Sequence, residues 1–259
     1  MDHEKPIIFV SHAAVDSKIA ARFKNDVEKA FLGLCSLFVS SNLDSLQGGR
    51  EWMQEIKQNL SEAKILISLL SPVALTRPWV YTEFGAGWIR DIPTISLCHS
   101  GLDKGQLPVP LSQFQALNLT DEVHLEHLYG QISQAIGCQM PEKSFALDAS
   151  EYLEITEVQR KKRMFGEWIS QINLWNPEFG KLFESEKVEI LIPGEADQAF
   201  RNFKLEAEKA DFLKFESKGF SMGTRVGMQA TNWEVEPGEK FTEFKEIVSD
   251  KIPAGENVT

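Results

Sequence analysis

The sequence predicts a doubly wound α/β domain over residues 1–140, built on a five-stranded parallel sheet, and a smaller α+β domain over residues 141–259. Three observations carry that prediction. Short, unbroken apolar runs recur through the first half, as expected of strands buried on both faces. Amphipathic helical spacing separates the runs, and strands alternating with helices imply a parallel sheet covered on both sides. After Pro141 the alternation stops and one long helical stretch takes over.

Pro6-Ile-Ile-Phe-Val-Ser11 reads as the first strand, and Asp16 to Phe31 as a helix with apolar residues at Ile19, Phe23, Val27 and Phe31. Ser36 to Ser40 is a second strand, and Asn42 to Gly49 a polar loop with two glycines. An amphipathic helix over Glu51 to Ala63 leads into a third buried strand, Ile65 to Leu70. Trp79 to Trp88 reads as a short helix, followed by strands at Pro93 to Cys98 and Gln115 to Leu119 and a helix over Val123 to Ile136. In such sheets ligands bind beyond the carboxyl ends of the strands. Ser11-His12, the 42–49 loop and the Ser71–Glu83 segment all leave strand carboxyl ends, so they are expected to converge on one edge. In the second half, residues 151–175 form a long helix with Val158, Phe165, Trp168, Ile169, Ile172 and Trp175 near a seven-residue seam. A strand (Val188 to Ile192), a helix (Ala196 to Ala210), a strand (Phe212 to Glu216), a stretch with Gly219, Gly223 and Gly227, and a final helix or strand follow. Those glycines stand four apart, which is the spacing of turns and not of a dinucleotide fingerprint.

A formal net charge of −11 argues against a general nucleic-acid binder, whose phosphate contacts need a basic face. Counted separately, neither residues 1–142 nor residues 143–259 carry a basic excess. The run Arg160-Lys-Lys-Arg163 reads as a solvated helix face in preference to an anion site. Cys35, Cys98 and Cys138 are widely spaced in apolar company, as reduced buried thiols are, and no Cys-x-x-Cys suggests zinc. His124-x-x-His127 has metal-like spacing without a partner set, so no metal is expected. The opening Met-Asp-His-Glu-Lys-Pro lacks the basic-then-apolar order of a signal peptide, and the longest apolar stretch, Ile65 to Leu75, is about half a membrane span. The expectation is a cytoplasmic protein with no membrane contact.

The most informative segment runs from Gly48 to Trp88. Within it Trp79 and Glu83 stand four apart on a predicted helix, so an indole and one carboxylate share a face. An aromatic wall beside a single carboxylate suits a ligand with a flat, cationic ring.

Three boxes in order on this frame resemble the TIR (Toll/interleukin-1 receptor) domain: Ile8-Phe9-Val10-Ser11-His12, Gly48-Gly49-Arg50-Glu51-Trp52 at the end of the so-called BB loop, and Ser71 to Glu83 with a tryptophan four residues before a glutamate. The resemblance covers about residues 5–138 and implies a flavodoxin-like sheet. The family's common Pro-Gly in the BB loop is Gly48-Gly49 here. It further implies an NAD+ glycohydrolase or cyclase of bacterial type, cleaving the nicotinamide–ribose bond with Glu83 as the catalytic carboxylate. Ordinary glycosidases use two carboxylates, one to protonate a poor leaving group. Nicotinamide leaves from a pyridinium as a neutral molecule, so a lone carboxylate that steadies the ribose cation suffices. NAD+ is then substrate, and no resident cofactor is expected.

Around Glu83, the substrate-binding candidates are Trp79, Phe9, Ser11, His12, Arg50, Gly48 and Gly49. Trp79 walls the nicotinamide or packs on the ribose. His12 is a substrate contact or a structural loop histidine. Arg50 follows two glycines at a helix start, where it holds a pyrophosphate or makes a loop ion pair. Tyr81 and Phe84 read as packing. By the same resemblance, TIR–TIR contacts make a homo-oligomer, anti-phage defence is the expected setting, and residues 143–259 control assembly or activation, answering to a nucleotide or a protein. The alternative is a non-catalytic TIR adaptor. A nucleoside deoxyribosyltransferase-like or flavodoxin-like enzyme shares the frame and stands third.

Overall fold

The computed structural model describes residues 5–40, 50–184, 187–222 and 229–249. Its contacts divide the chain into two compact units, Met1–Val158 and Gln159–Thr259.

In the first unit, strands β1 (Ile7–Ser11), β2 (Ser36–Val39), β3 (Ala63–Leu70), β4 (Thr94–Cys98) and β5 (Gln115–Asn118) form one sheet in the order β2-β1-β3-β4-β5. Every neighbouring pair is parallel. This is the flavodoxin-like order, whose chain reversal lies between β1 and β3. The helices are α1 (Ser17–Ala30), α2 (Arg50–Glu62), α3 (Pro78–Ile89) and α4 (Glu122–Ile136). Alternation along each strand splits the core in two. Ile8, Val10, Ile67 and Leu97 pack with Phe23 and Val27 of α1 and Leu125 of α4, while Phe9, Leu66 and Leu70 pack with Ile56 of α2 and Val80 and Phe84 of α3. The unbroken apolar runs of the sequence are thus strands with both faces covered.

Local chemistry sets the ends of these helices. Asp121 caps α4 by accepting from the His124 N–H at 3.0 Å, and Gly137 closes it in the left-handed region at φ 71°. Pro78 opens α3, where its fixed φ suits a first helical turn and its missing N–H is not needed. Helix α5 (Phe145–Trp175) begins six residues earlier than the apolar spacing predicts. The Ser144 hydroxyl accepts from the Leu147 N–H at 3.4 Å, and Phe145, Ala149 and Tyr152 join the core beneath α1 and α4. Tyr152 also donates to Asp26 Oδ2 at 2.7 Å, and Arg22 of α1 bridges Asp26 and Glu151. The start of α5 is therefore part of the first unit, and the contact division falls at Val158, inside the helix.

The second unit is α+β. Strands β6 (Val188–Pro193), β7 (Leu213–Met222) and β8 (Gln229–Pro237) pair antiparallel in the order β6-β8-β7, with helices α6 (Asp197–Lys209) and α7 (Phe241–Ile247). Strand β7 is longer than the apolar pattern indicates and takes in Gly219, where the register shifts and φ is 100°. Gly223 and Gly227 lie outside the described residues. The predicted final helix or strand resolves into both, β8 and α7. The core is dense in phenylalanine: Phe165 of α5 meets Phe203, Phe212 and Phe244 edge-on at 5.4–5.8 Å. Along the predicted seam, Phe165, Ile169 and Ile172 are buried, whereas Val158 is exposed. The outer edge of β6 is closed by the Asn176 amide, which donates to Leu191 O at 3.1 Å and accepts from Leu191 N at 2.7 Å. A side chain thus occupies backbone groups that a neighbouring strand would otherwise pair.

Candidate functional site

At the carboxyl edge of the parallel sheet, four side chains from three segments meet. Ser11 ends β1, Ser40 follows β2, and Trp79 and Glu83 stand one turn apart on α3. Glu83 is only 1% exposed. The Ser11 hydroxyl donates to Glu83 Oε2 at 2.5 Å, and the Ser40 hydroxyl lies 3.3 Å from the same oxygen. The Trp79 indole N–H donates to Oε1 at 2.8 Å. All three groups donate, so the arrangement suits an ionised carboxylate, and among the described residues no cation is bonded to it.

The depth of Glu83 follows from how α3 lies on the sheet. Gly87 is one turn further along the same face, and a Cβ there would come within 2.9 Å of Thr94 Oγ1 and 3.0 Å of Leu66 Cδ1. Without a side chain at 87 the helix settles close to β3 and β4 and carries Glu83 down onto Ser11. Burial pushes the Glu83 carboxyl up from 4.5 to about 7, and the bonds from Ser11, Trp79 and Ser40 oppose that rise. Near neutrality the group is therefore poised between its acid and its anion.

Glu83 forms the back of a cleft of about 500 Å³ between α2 and α3. Met53, Ile56 and Leu60 make one wall, Trp79 and Ala86 the other, and Lys57 supplies a cation. A mainly apolar cleft with one carboxylate in its lining fits a flat ring joined to a polar body.

The predicted site residues fall into three groups. Ser11, Trp79 and Glu83 are brought together. Phe9 and His12 are near in sequence but differently placed. Phe9 is fully buried in the core, its ring 5.4 Å from that of Phe38. His12 is 2% exposed, its Nδ1 meets no partner among the described residues, and burial lowers its pKa to about 4, so it is neutral at pH 7. Gly48 and Gly49 lie outside the described residues, and of Arg50 only its place as the first residue of α2 is described. Tyr81 donates its hydroxyl to Leu75 O at 3.1 Å, and Phe84 meets Phe114 edge-on at 4.8 Å.

Sequence reasoning missed Ser40, the bracing of this edge, and the role of α2. Ser40 could have been found, because it ends a strand that neighbours β1. The bracing pairs Ser71, after β3, with Asp16, before α1: the Ser71 hydroxyl donates to Asp16 Oδ2 at 2.7 Å and accepts from Ala74 N at 3.1 Å. His124 and His127 meet the Asn118 N–H and Gln115, and among the described residues no group of three or more His, Cys, Asp or Glu is placed to hold a metal. Among the same residues, no helix is long and apolar enough to cross a membrane.

A flavodoxin-like sheet with a polar cluster at its switch point defines a class of α/β ligand-binding domains. Within that class, residues 8–130 match the family model of the TIR domain, so this segment is a TIR domain. The match covers just under half of the chain and leaves the second unit outside it. No curated protein matches the chain.

Proposed function

We propose that the TIR domain cleaves NAD+ at the nicotinamide–ribose bond, with Glu83 as the catalytic carboxylate. The observation that carries this reading is a buried carboxylate held by three neutral donors at the end of an apolar cleft walled by an indole. In the reaction the bond from ribose C1′ to the pyridinium nitrogen breaks, and its electron pair neutralises that nitrogen. C1′ is left as an oxocarbenium centre, and an ionised Glu83 against it stabilises the developing positive charge. No acid is required for the leaving group. Water then adds at C1′ and surrenders a proton, giving nicotinamide, ADP-ribose and one proton; capture by a nitrogen of the adenine instead gives a cyclic isomer. A carboxyl near pH 7 is well matched to accept the proton from attacking water. Trp79 serves twice, lining the cleft and fixing one oxygen of Glu83.

TIR domains commonly self-associate. We propose that this one works as a homo-oligomer through TIR–TIR contacts, with the second unit controlling assembly, and that depletion of NAD+ or a nucleotide product serves anti-phage defence. The test is release of nicotinamide from NAD+ by the full chain over a range of protein concentrations, wild type against Glu83→Ala. The reading requires release by the wild type, rising more than linearly with concentration, and none by the variant. Equal release by both removes Glu83 from the mechanism. No release by either at assembling concentrations favours the adaptor alternative, in which Glu83→Ala leaves TIR–TIR pairing intact.

A further inference from the structure

The second unit contains a cavity of about 420 Å³ built wholly from its own residues. Its lining includes Trp233 and Thr231 of β8, Ser217 of β7, and Arg201, Lys204, Leu205 and the carboxylate of Glu208 on α6. The cavity exists because the sheet changes character beneath α6. That helix packs down with Phe200, Phe203 and Ala207, but here the sheet offers the short side chains of Ser217, opposite Trp233, and of Thr231, opposite Ile192. Nothing large fills the space between them.

The lining is rich in donors. The Trp233 ring is held 5.7 Å from that of Phe200, and its Nε1–H is enclosed yet meets no acceptor among the described residues. An enclosed donor without a partner is costly, so a ligand acceptor there is favoured. The Lys204 ammonium lies 5.3 Å from the centre of the Trp233 ring and 5.9 Å from that of Phe215, with only 22% of its side chain exposed. Lys204 and Arg201 pair with Glu208 and Asp197, each at 2.7 Å and one turn away. Such i,i+4 pairs on a helix surface are weak, so an incoming anion can replace them. Two cations in one small cavity stand out in a chain of net charge −11.

We propose that this cavity binds a small organic phosphate carrying a flat ring, of the size of a nucleoside monophosphate. Two cations, an indole N–H and two hydroxyls match a dianion with three terminal oxygens better than a carboxylate with two. The volume exceeds that of a bare anion and falls within the range of small-molecule sites, and Leu205 and Trp233 supply apolar surface for a ring. This site is independent of the NAD+ reading for Glu83.

The test follows the indole N–H resonances of the 15N-labelled full chain, with that of Trp233 assigned by its loss in Trp233→Phe. Adenosine and uridine monophosphates, inorganic phosphate and benzoate are the probes. The Trp233 resonance is expected to move saturably with at least one nucleotide, and about tenfold more weakly with inorganic phosphate. Lys204→Ala is expected to weaken the nucleotide by about tenfold or more without lowering the melting temperature. The proposal is overturned if neither nucleotide moves that resonance, if benzoate or inorganic phosphate binds as tightly, or if Lys204→Ala binds as wild type does.

Discussion

The indole N–H of Trp79 donates to Glu83 Oε1 across 2.8 Å, one turn along α3. Sequence spacing alone gives these residues a common face; the structure makes them a bonded pair. The pair matters because burial pushes the Glu83 carboxyl up while the bonds from Ser11, Trp79 and Ser40 favour its anion, so each donor bears on how readily it ionises.

Removing one of those donors should therefore move the acid limb of the reaction. Burial sets the Glu83 carboxyl near 7, and the proposed reaction needs it ionised, so on that proposal kcat/KM for NAD+ should rise about tenfold per pH unit below pH 7 and level off above it. A hydrogen bond to a charged group contributes about 1.5–3 kcal/mol, so Ser11→Ala or Trp79→Phe should carry the midpoint upward by about one to two pH units. A pH–rate profile for each variant makes the comparison; an unmoved midpoint would separate Glu83 from the titration.

Glu83 and His12 should pull stability in opposite directions with pH. The folded pKa of Glu83 lies above its ordinary value, so its contribution is complete below pH 4.5 and is lost as pH rises through about 7. That of His12 lies below, so its contribution is present above pH 6.5 and is lost as pH falls through about 4. Each spans about 3 kcal/mol, and the two offset each other between roughly pH 4.5 and 6.5. Over that interval Glu83→Gln should make stability rise with pH, and His12→Gln should make it fall. Urea denaturation of the three proteins across pH reads both slopes.

Gly87→Ala tests how α3 sits. Alanine in a helix interior is intrinsically better than glycine by about 1 kcal/mol. Here its Cβ would press on Thr94 Oγ1 and Leu66 Cδ1, and overpacking of that kind costs about 1–3 kcal/mol. The clash should win, lowering the melting temperature, and activity should drop further than stability because Glu83 rides on the displaced helix.

The start of α5 should behave as part of the TIR unit. A chain ending at Met140 lacks Phe145 and Tyr152, which are 8% and 2% exposed in the core under α1 and α4. Burying a side chain of that size contributes about 1.5–3 kcal/mol, so this chain should be less stable than one ending at Val158 by several kcal/mol. Denaturation midpoints of the two fragments give the comparison.

Much of the fold was legible because its signals are local. Short unbroken apolar runs such as Ile8 to Val10 between turn signals point to strands covered on both sides, and 3.6-residue spacing from Ile19 to Val27 points to a helix with one buried face. The pairing of Trp79 with Glu83 was legible for the same reason, since a single helical turn joins them. What escaped was non-local. Ser40 reaches Glu83 only because β2 lies beside β1, and the cleft needs Met53 and Ile56 from a helix whose distance from α3 no periodicity encodes. Phe9 shows the converse: it lies on the strand that carries Ser11, two residues away and on the same face, but deeper under α2 and α3, where it is core. The early start of α5 rests on one serine cap and three core contacts, too faint after the polar Glu142-Lys143-Ser144 to be read from spacing.

The most direct measurement is the rate of nicotinamide release at saturating NAD+ and assembling protein concentration, for wild type and Glu83→Gln of equal fold. Glutamine keeps the shape of the site but carries no charge; its oxygen can still accept from the Trp79 indole, while its NH2 group turns the serine hydroxyls from donors into acceptors. Loss of an ionised group from the transition state should lower the rate by about 10²–10³-fold, with a melting temperature equal to or above that of the wild type at pH 8. Equal rates for the two proteins would contradict the assignment of Glu83.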